Sequence, residues 1–120
     1  GVFMQKIPGI SKGSYVVAGA ELKCPMGSSS SKLLIPISHR VKIKGKDQAN
    51  ILDFKPMLNI LPFGTCKMSY PPTPCIPMIT APWLNGKEDV LIEMAPALLN
   101  TSMCICGRGG VIQISNDGQS

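Results

Sequence analysis

The chain has 120 residues, the length of one domain, and 44% of them are hydrophobic while only 5% are aromatic. Twelve Gly and eleven Pro predict a folded, turn-rich domain with an aliphatic core. The net charge of +5 comes from basic residues scattered along the chain, without the interleaved aromatic residues that a base-stacking surface requires. We therefore expect no nucleic-acid partner.

No segment predicts a signal peptide or stable membrane insertion. The opening residues have no apolar stretch before Pro8, so the general secretory route is not expected. The longest uncharged stretch runs from Met68 to Gly86, which is long enough to span a bilayer. It contains five prolines, and each interior proline costs a helix about 3 kcal/mol or more. We interpret residues 70–82 as an extended surface loop.

Short apolar runs separated by turns predict a mostly β fold. Strands are expected in the runs at residues 15–18, 33–35, 41–44, 90–92 and 111–115, where β-branched residues are frequent. Asn85-Gly86 predicts a two-residue hairpin turn. Brief helical turns are expected near residues 50–61 and 93–99, the first of them interrupted by Pro56. The expected fold is a small, compact set of short strands and hairpins.

The cysteines are the most informative residues of the chain. There are five, each at a turn or close to a Pro or Gly: Cys24, Cys66, Cys75, Cys104 and Cys106. They could be independent buried hydrophobic residues, or they could form disulfides, although an odd number and the expected lack of a signal peptide disfavour pairing. They could also supply thiolates to a tetrahedral zinc. These alternatives remain open at this point.

A zinc bound by four thiolates would be structural, because no coordination position is left for water or a substrate. Such a site would contribute folding free energy to a domain with few aromatic residues. His39 is the only histidine, and a lone histidine beside Arg40 is usually a surface residue. It remains a substitute ligand if one cysteine is not used.

Enzymatic function is not expected. A Cys–His nucleophile pair would need His39 beside a cysteine and an orienting Asn or Asp, and no such pattern is evident. No pair of carboxylates stands out as an acid–base couple. The segment Gly107–Gly110 precedes a strand rather than a helix, so we interpret it as a turn and not a phosphate-binding loop.

An ordered set of segments resembles the PAAR-like family of small bacterial proteins, long catalogued as a domain of unknown function. The segments are Val17–Gly27, Ala49–Asp53, Ile60–Cys66, Pro74–Pro77, Pro82–Trp83, Pro96–Leu99, Cys104–Cys106 and Gly109–Ile112. They occur in the family's order and together cover residues 14–115. The resemblance implies a cone-like tip domain at 14–115, with an N-terminal arm at 1–13 and a C-terminal tail at 116–120.

The resemblance implies a function in a contractile secretion machine. PAAR-like proteins cap the blunt end of a trimeric spike, the valine–glycine repeat protein (VgrG) of type VI secretion, with one tip per trimer. Similar tips occur in phage-like contractile injection systems, and they help to deliver effector proteins. The protein would then be assembled in the bacterial cytoplasm and leave the cell with the spike. A zinc-stapled adaptor that docks effectors and never caps a spike is the alternative.

The resemblance also implies a metal site near the apex. Cys24, Cys66 and Cys75 match family cysteines, and Cys106 fits the fourth position better than Cys104 because of its spacing to Gly109-Gly110. Better-known PAAR proteins use several histidines and one cysteine, so here cysteines must supply most of the ligands. Docking to a spike requires an apolar base, for which strand positions such as Val16, Ile112 and Ile114 are candidates unless they belong to the core.

Overall fold

Short antiparallel strands make up the regular secondary structure. The computed structural model describes residues 13–67, 71, 73–107 and 109–119. The strands are β1 (Glu21–Lys23), β2 (Ser31–Lys32), β3 (Lys42–Ile43), β4 (Lys46–Asp47), β5 (Lys87–Ile92), β6 (Ala95–Ala97), β7 (Met103–Cys106) and β8 (Gly110–Asn116). The predicted mostly β fold class is therefore confirmed. The expected N-terminal arm lies, apart from Gly13, outside the described residues.

The largest sheet has four strands in the order β2-β1-β8-β7, and all of its neighbouring strands are antiparallel. The longest strand, β8, shows the alternation of a sheet with one buried face, because Gly110, Ile112 and Ile114 point inward. In β7 the period of two places Cys104 and Cys106 on the same buried face. This sheet therefore directs two cysteines into the core.

Two hairpins, β3–β4 and β5–β6, complete the strand pairing. The β3–β4 turn contains Lys44 and Gly45, and the β5–β6 turn contains Glu93 and Met94, all with positive φ angles between 52° and 80°. Successive positive φ angles are the geometry of a type I′ turn, whose twist matches that of the paired strands. The chain reverses at these turns without a long loop.

Several sequence predictions about local structure are wrong. Residues 50–61 form turns and isolated bridges rather than a helix, and residues 93–97 form a hairpin turn followed by β6. Asn85 has a positive φ of 66°, as the Asn-Gly pair suggested, yet it joins the bridge at Leu84 to β5 and closes no hairpin. In the described part of the chain, no helix has the length and apolar character needed to cross a membrane.

The core is aliphatic, with one Trp and one Phe at its centre. Trp83 is 2% exposed and Phe63 is 1% exposed, and they share the core with cysteines and with side chains from the main sheet. Val16, Ile112 and Ile114 also lie in this core, so they belong to the interior and not to an exposed docking base. The tertiary structure thus decides between the two roles that the sequence left open.

The segment after β8 is tied to the beginning of the described chain. The Ser14 hydroxyl donates to Asp117 Oδ2 at 2.7 Å, and the Gln119 side chain donates to the Tyr15 carbonyl at 2.5 Å. The Val17 amide donates to the Asp117 carbonyl at 3.0 Å. These bonds fix residues 117–119 against the core.

Candidate metal centre

Four segments that are distant in the sequence bring cysteines to one region of the core. Cys24 follows β1, Cys66 and Cys75 lie on facing extended segments, and Cys106 ends β7. All four are nearly excluded from solvent, with exposures of 2–6%. The four cysteines named from the sequence and the resemblance are therefore buried within one hydrophobic cluster.

Backbone bridges hold the first three segments together. Gly27 is bridged to Cys66, and Thr65 is bridged to Pro74. The Cys75 amide donates to the Gly64 carbonyl at 2.7 Å, and the Lys67 amide donates to the Met26 carbonyl at 2.7 Å. These bonds form an irregular ladder, because proline and glycine leave gaps in regular strand pairing. The ladder fixes the backbone from which three of the thiols project.

The turn after β1 surrounds the Cys24 sulfur with hydrogen-bond donors. The Gly27 amide donates to the Cys24 carbonyl at 3.0 Å, which closes the turn. The amides of Met26 and Gly27 also interact with the Cys24 thiol. Donors aimed at a sulfur stabilise its thiolate form more than its neutral form. These two donors lower the pKa of the Cys24 thiol, although burial outweighs them.

The Cys106 sulfur also accepts a hydrogen bond from a backbone amide. The Met78 amide donates to Cys106 Sγ at 3.4 Å, and the Gly107 amide donates back to the Met78 carbonyl at 2.6 Å. The Pro-rich segment is thereby fixed against the β7–β8 turn. Cys24 also lies close to the β7–β8 turn at Gly110, where a Cβ would be only 2.6 Å from Cys24 Sγ. The β7–β8 turn can approach Cys24 only because residue 110 is glycine.

The thiols influence one another. Burial raises the pKa of the Cys24 thiol, and the neighbouring Cys106 and Cys66 raise it further. Burial likewise raises the pKa of Cys75, and Cys66, Cys24 and Cys106 all add to the effect. Cys24 and Cys75 resist ionisation because burial disfavours the thiolate and because a second negative charge nearby would be costly. A bound divalent cation would offset this penalty.

Cys104 is set apart from the other four cysteines. Burial raises its pKa to about 12, with a smaller contribution from Cys106, and its side chain has no solvent exposure. Its sulfur contacts the Ala81 carbonyl at 3.8 Å. A thiol in this environment behaves as a small hydrophobic residue. The geometry thus favours Cys106 over Cys104 as the partner of the other three cysteines.

His39, the substitute ligand, lies in a different group. Its Nε2 is 2.8 Å from Asp53 Oδ2, and its Nδ1 is 2.5 Å from Glu93 Oε1. Both ring nitrogens are therefore engaged by carboxylates, and neither is available to an ion shared with the cysteines. This ion pair was missed at the level of sequence. Asp53 and Glu93 lie 14 and 54 residues from His39 along the chain, and no local pattern signals such contacts.

The donor chemistry suits zinc, although the side chains do not yet form a closed ion site. Among the described residues, no three His, Cys, Asp or Glu side chains stand in the compact arrangement that a bound ion requires. Buried thiols with backbone donors are nevertheless the ligand type and outer shell that a structural zinc uses. Cys24, Cys66, Cys75 and Cys106 would hold the ion, which would supply a cross-link between four segments.

Comparison with known proteins identifies the family. Residues 16–119 match the model of a family described as a domain of unknown function, DUF4280. The match covers most of the chain and includes all five cysteines, so the chain belongs to this family. No curated protein and no solved structure matches it.

Proposed function

We propose that this protein is a non-enzymatic tip that caps the trimeric spike of a bacterial contractile secretion system and helps to deliver effectors. The family match over residues 16–119 is consistent with the PAAR-like resemblance, whose segments cover nearly the same residues. The observation that carries the proposal is the burial of Cys24, Cys66, Cys75 and Cys106 in one region of a small β domain. These are the cysteines that the resemblance selects.

The physical requirements of a tip agree with this arrangement. A domain driven through a membrane must resist local unfolding, and short strands with an aliphatic core supply a thin stability margin. A structural zinc bound by the four thiols would cross-link the turn after β1, the ladder that carries Cys66 and Cys75, and the β7–β8 turn. Since the unfolded chain has no preformed site, the binding free energy of the ion would add to folding stability. Zinc would serve here as a staple with no role in catalysis.

Native mass spectrometry of the full chain with its candidate VgrG-like spike tests the proposal, after metal analysis of the chain alone. The expected result is one zinc per chain and complexes of three spike chains with one tip. A metal-free chain that does not bind the spike would overturn both parts of the proposal. Binding without zinc would keep the capping role and remove the staple.

A matched pair of variants tests the ligand set. Cys104 and Cys106 lie on the same face of β7, and both are buried. Cys106→Ala should lose the zinc, whereas Cys104→Ala should retain it at one ion per chain. Equal zinc content in the two variants would contradict the assignment. Circular dichroism of each variant separates loss of a ligand from loss of the fold.

A second function, the effector-docking adaptor, is favoured by one surface feature. Ile37, Leu52 and Leu58 are 79%, 48% and 49% exposed, and they line a cavity of about 330 Å³. Apolar side chains around a groove are typical of a protein-binding surface. An adaptor would bind an effector without affinity for the spike, so the same native mass spectrometry distinguishes the two functions.

A further inference from the structure

Three separate segments meet at the imidazole ring of His39. The ring belongs to the connection between β2 and β3, Asp53 belongs to the turn-rich segment before the 55–60 loop, and Glu93 begins the β5–β6 turn. His39 Nε2 lies 2.8 Å and 3.0 Å from the two oxygens of Asp53, and Nδ1 lies 2.5 Å from Glu93 Oε1. The side chain of His39 is only 14% exposed. The ring is therefore held in place between two carboxylates.

The pairing of two acceptors with two ring nitrogens defines the protonation state. An ionised carboxylate only accepts hydrogen bonds, and a neutral imidazole carries one N–H and one lone pair. With both carboxylates ionised, both contacts are hydrogen bonds only when both ring nitrogens carry protons. The closed arrangement thus corresponds to an imidazolium between two carboxylates.

The charges around the ring favour this state. Burial opposes the positive charge, but the hydrogen bonds and charges of Glu93 and Asp53 outweigh it and raise the pKa of His39 above its ordinary 6.5. The other charged residues nearby are Lys55, which lines the same cavity, and Arg40, the next residue in the chain. The pKa of His39 is raised despite these two neighbouring positive charges.

The two carboxylates are anchored to different extents. Asp53 is 5% exposed, its Oδ2 accepts the Asn50 amide at 2.9 Å, and its carbonyl accepts Trp83 Nε1 at 2.9 Å. Glu93 has a side chain that is 53% exposed and lies in a turn with positive φ angles. When His39 loses a proton, one of its two bonds must break. The exposed Glu93 can then turn to solvent at little cost, while Asp53 keeps its other partners.

We propose that His39 is a pH-sensitive clip that fastens the β5–β6 turn to the Asp53 segment when protonated and releases Glu93 when neutral. In the closed arrangement neither ring nitrogen is free to bind a metal ion, because each contacts a carboxylate. In this protonated state no ring nitrogen is free to accept a proton from a substrate either. The clip is independent of the spike-capping function.

The sign of the pH dependence follows from the direction of the shift. A folded-state pKa above 6.5 means that the folded protein holds a proton which the unfolded chain has already released. The clip therefore contributes its full stability below pH 6.5. This contribution is lost as the pH rises through the raised folded-state pKa of His39.

The chain has one histidine, so NMR of its imidazole nitrogens during a pH titration reports this residue without ambiguity. We expect both ring nitrogens to be protonated at pH 6.5 and His39 to titrate above that pH. Glu93→Gln keeps the shape of the side chain and removes its charge, so it should lower the pKa of His39. Glu88→Gln, at another exposed acidic residue of the same hairpin, is the matched control and should leave the titration unchanged.

Hydrogen exchange provides a second readout. After correction for intrinsic rates, amides of residues 92–95 should lose protection in the wild type as the pH rises through the His39 titration, while His39→Gln should lack this dependence. A neutral ring at pH 6.5 would overturn the proposal. Equal effects of Glu93→Gln and Glu88→Gln would overturn it as well.

Discussion

Gly27 is a position where a single added methyl group should damage the candidate metal centre. A Cβ at residue 27 would lie 2.4 Å from the Cβ of Phe63 and 2.5 Å from its carbonyl oxygen. Favourable contacts between carbon atoms need about 3.5–4.0 Å, so Gly27→Ala overlaps both atoms by about 1 Å or more. Gly27 has no positive φ angle, and the cost of this substitution is therefore one of space alone.

Phe63 has little freedom to move away from the added methyl group. It is 1% exposed, its amide donates to the Cys75 carbonyl at 2.9 Å, and its carbonyl accepts the Ser29 amide at 3.2 Å. Overpacking of a core usually costs about 1–3 kcal/mol, and a clash with backbone belongs at the upper end. We expect Gly27→Ala to lower the free energy of unfolding by about 3 kcal/mol, a large share of the roughly 5–15 kcal/mol typical of a domain.

Gly45→Ala is the matched control, because it changes conformation without a clash. Gly45 has a φ of +80° in the β3–β4 turn, and a Cβ there would meet no atom within 4 Å. The left-handed conformation alone costs a non-glycine residue about 1–2 kcal/mol. Equilibrium urea denaturation followed by circular dichroism, with zinc content measured in parallel, compares the two variants. The reasoning would be refuted if Gly27→Ala lay within about 0.5 kcal/mol of the wild type, or if Gly45→Ala cost as much.

Three further predictions test other parts of the structure. Trp83→Phe removes the indole donor to the Asp53 carbonyl and should lower the free energy of unfolding, measured by urea denaturation, by about 1–3 kcal/mol. An unchanged free energy of unfolding would contradict a stabilising role for that hydrogen bond. Hydrogen bonds from the Ser14 hydroxyl and the Gln119 amide lower the pKa of Asp117, so its contribution is present above pH 3.8 and lost as the pH falls through the lowered folded-state value. Asp117→Asn should therefore be less stable than the wild type at neutral pH. A difference in unfolding free energy that persists in strong acid would count against this reasoning. Burial raises the pKa of Cys104 to about 12 and leaves it without solvent exposure, so it should be the last cysteine that iodoacetamide alkylates in the metal-free native protein. Peptide mass mapping would show the order of modification, and early modification of Cys104 would contradict its deep burial.

The strand content of this protein is largely a local property of its sequence. Alternation and β-branching in residues 111–115 predict the strand observed as β8, and the apolar run 90–92 falls within β5. The prolines of residues 73–82 exclude a regular strand there because each removes a ladder donor. The helical turns predicted near residues 50–61 and 93–99 are not observed, and a proline contributes to the first of these differences. Within residues 50–61, Pro56 lacks a backbone donor, and the bridge from Leu33 to Ile60 holds this segment in turns.

Only the tertiary structure decides which residues act together. The sequence marks five cysteines, and the fold brings Cys106 close enough to Cys24 and Cys75 to affect their pKa values, although Cys104 faces the same side of β7. The fold also pairs His39 with two carboxylates that lie 14 and 54 residues away. Propensity and turn chemistry act over a few residues, so they determine the strands of this chain. Burial and charge pairing depend on how the strands pack, and that packing alone determines the thiol group and the imidazolium clip.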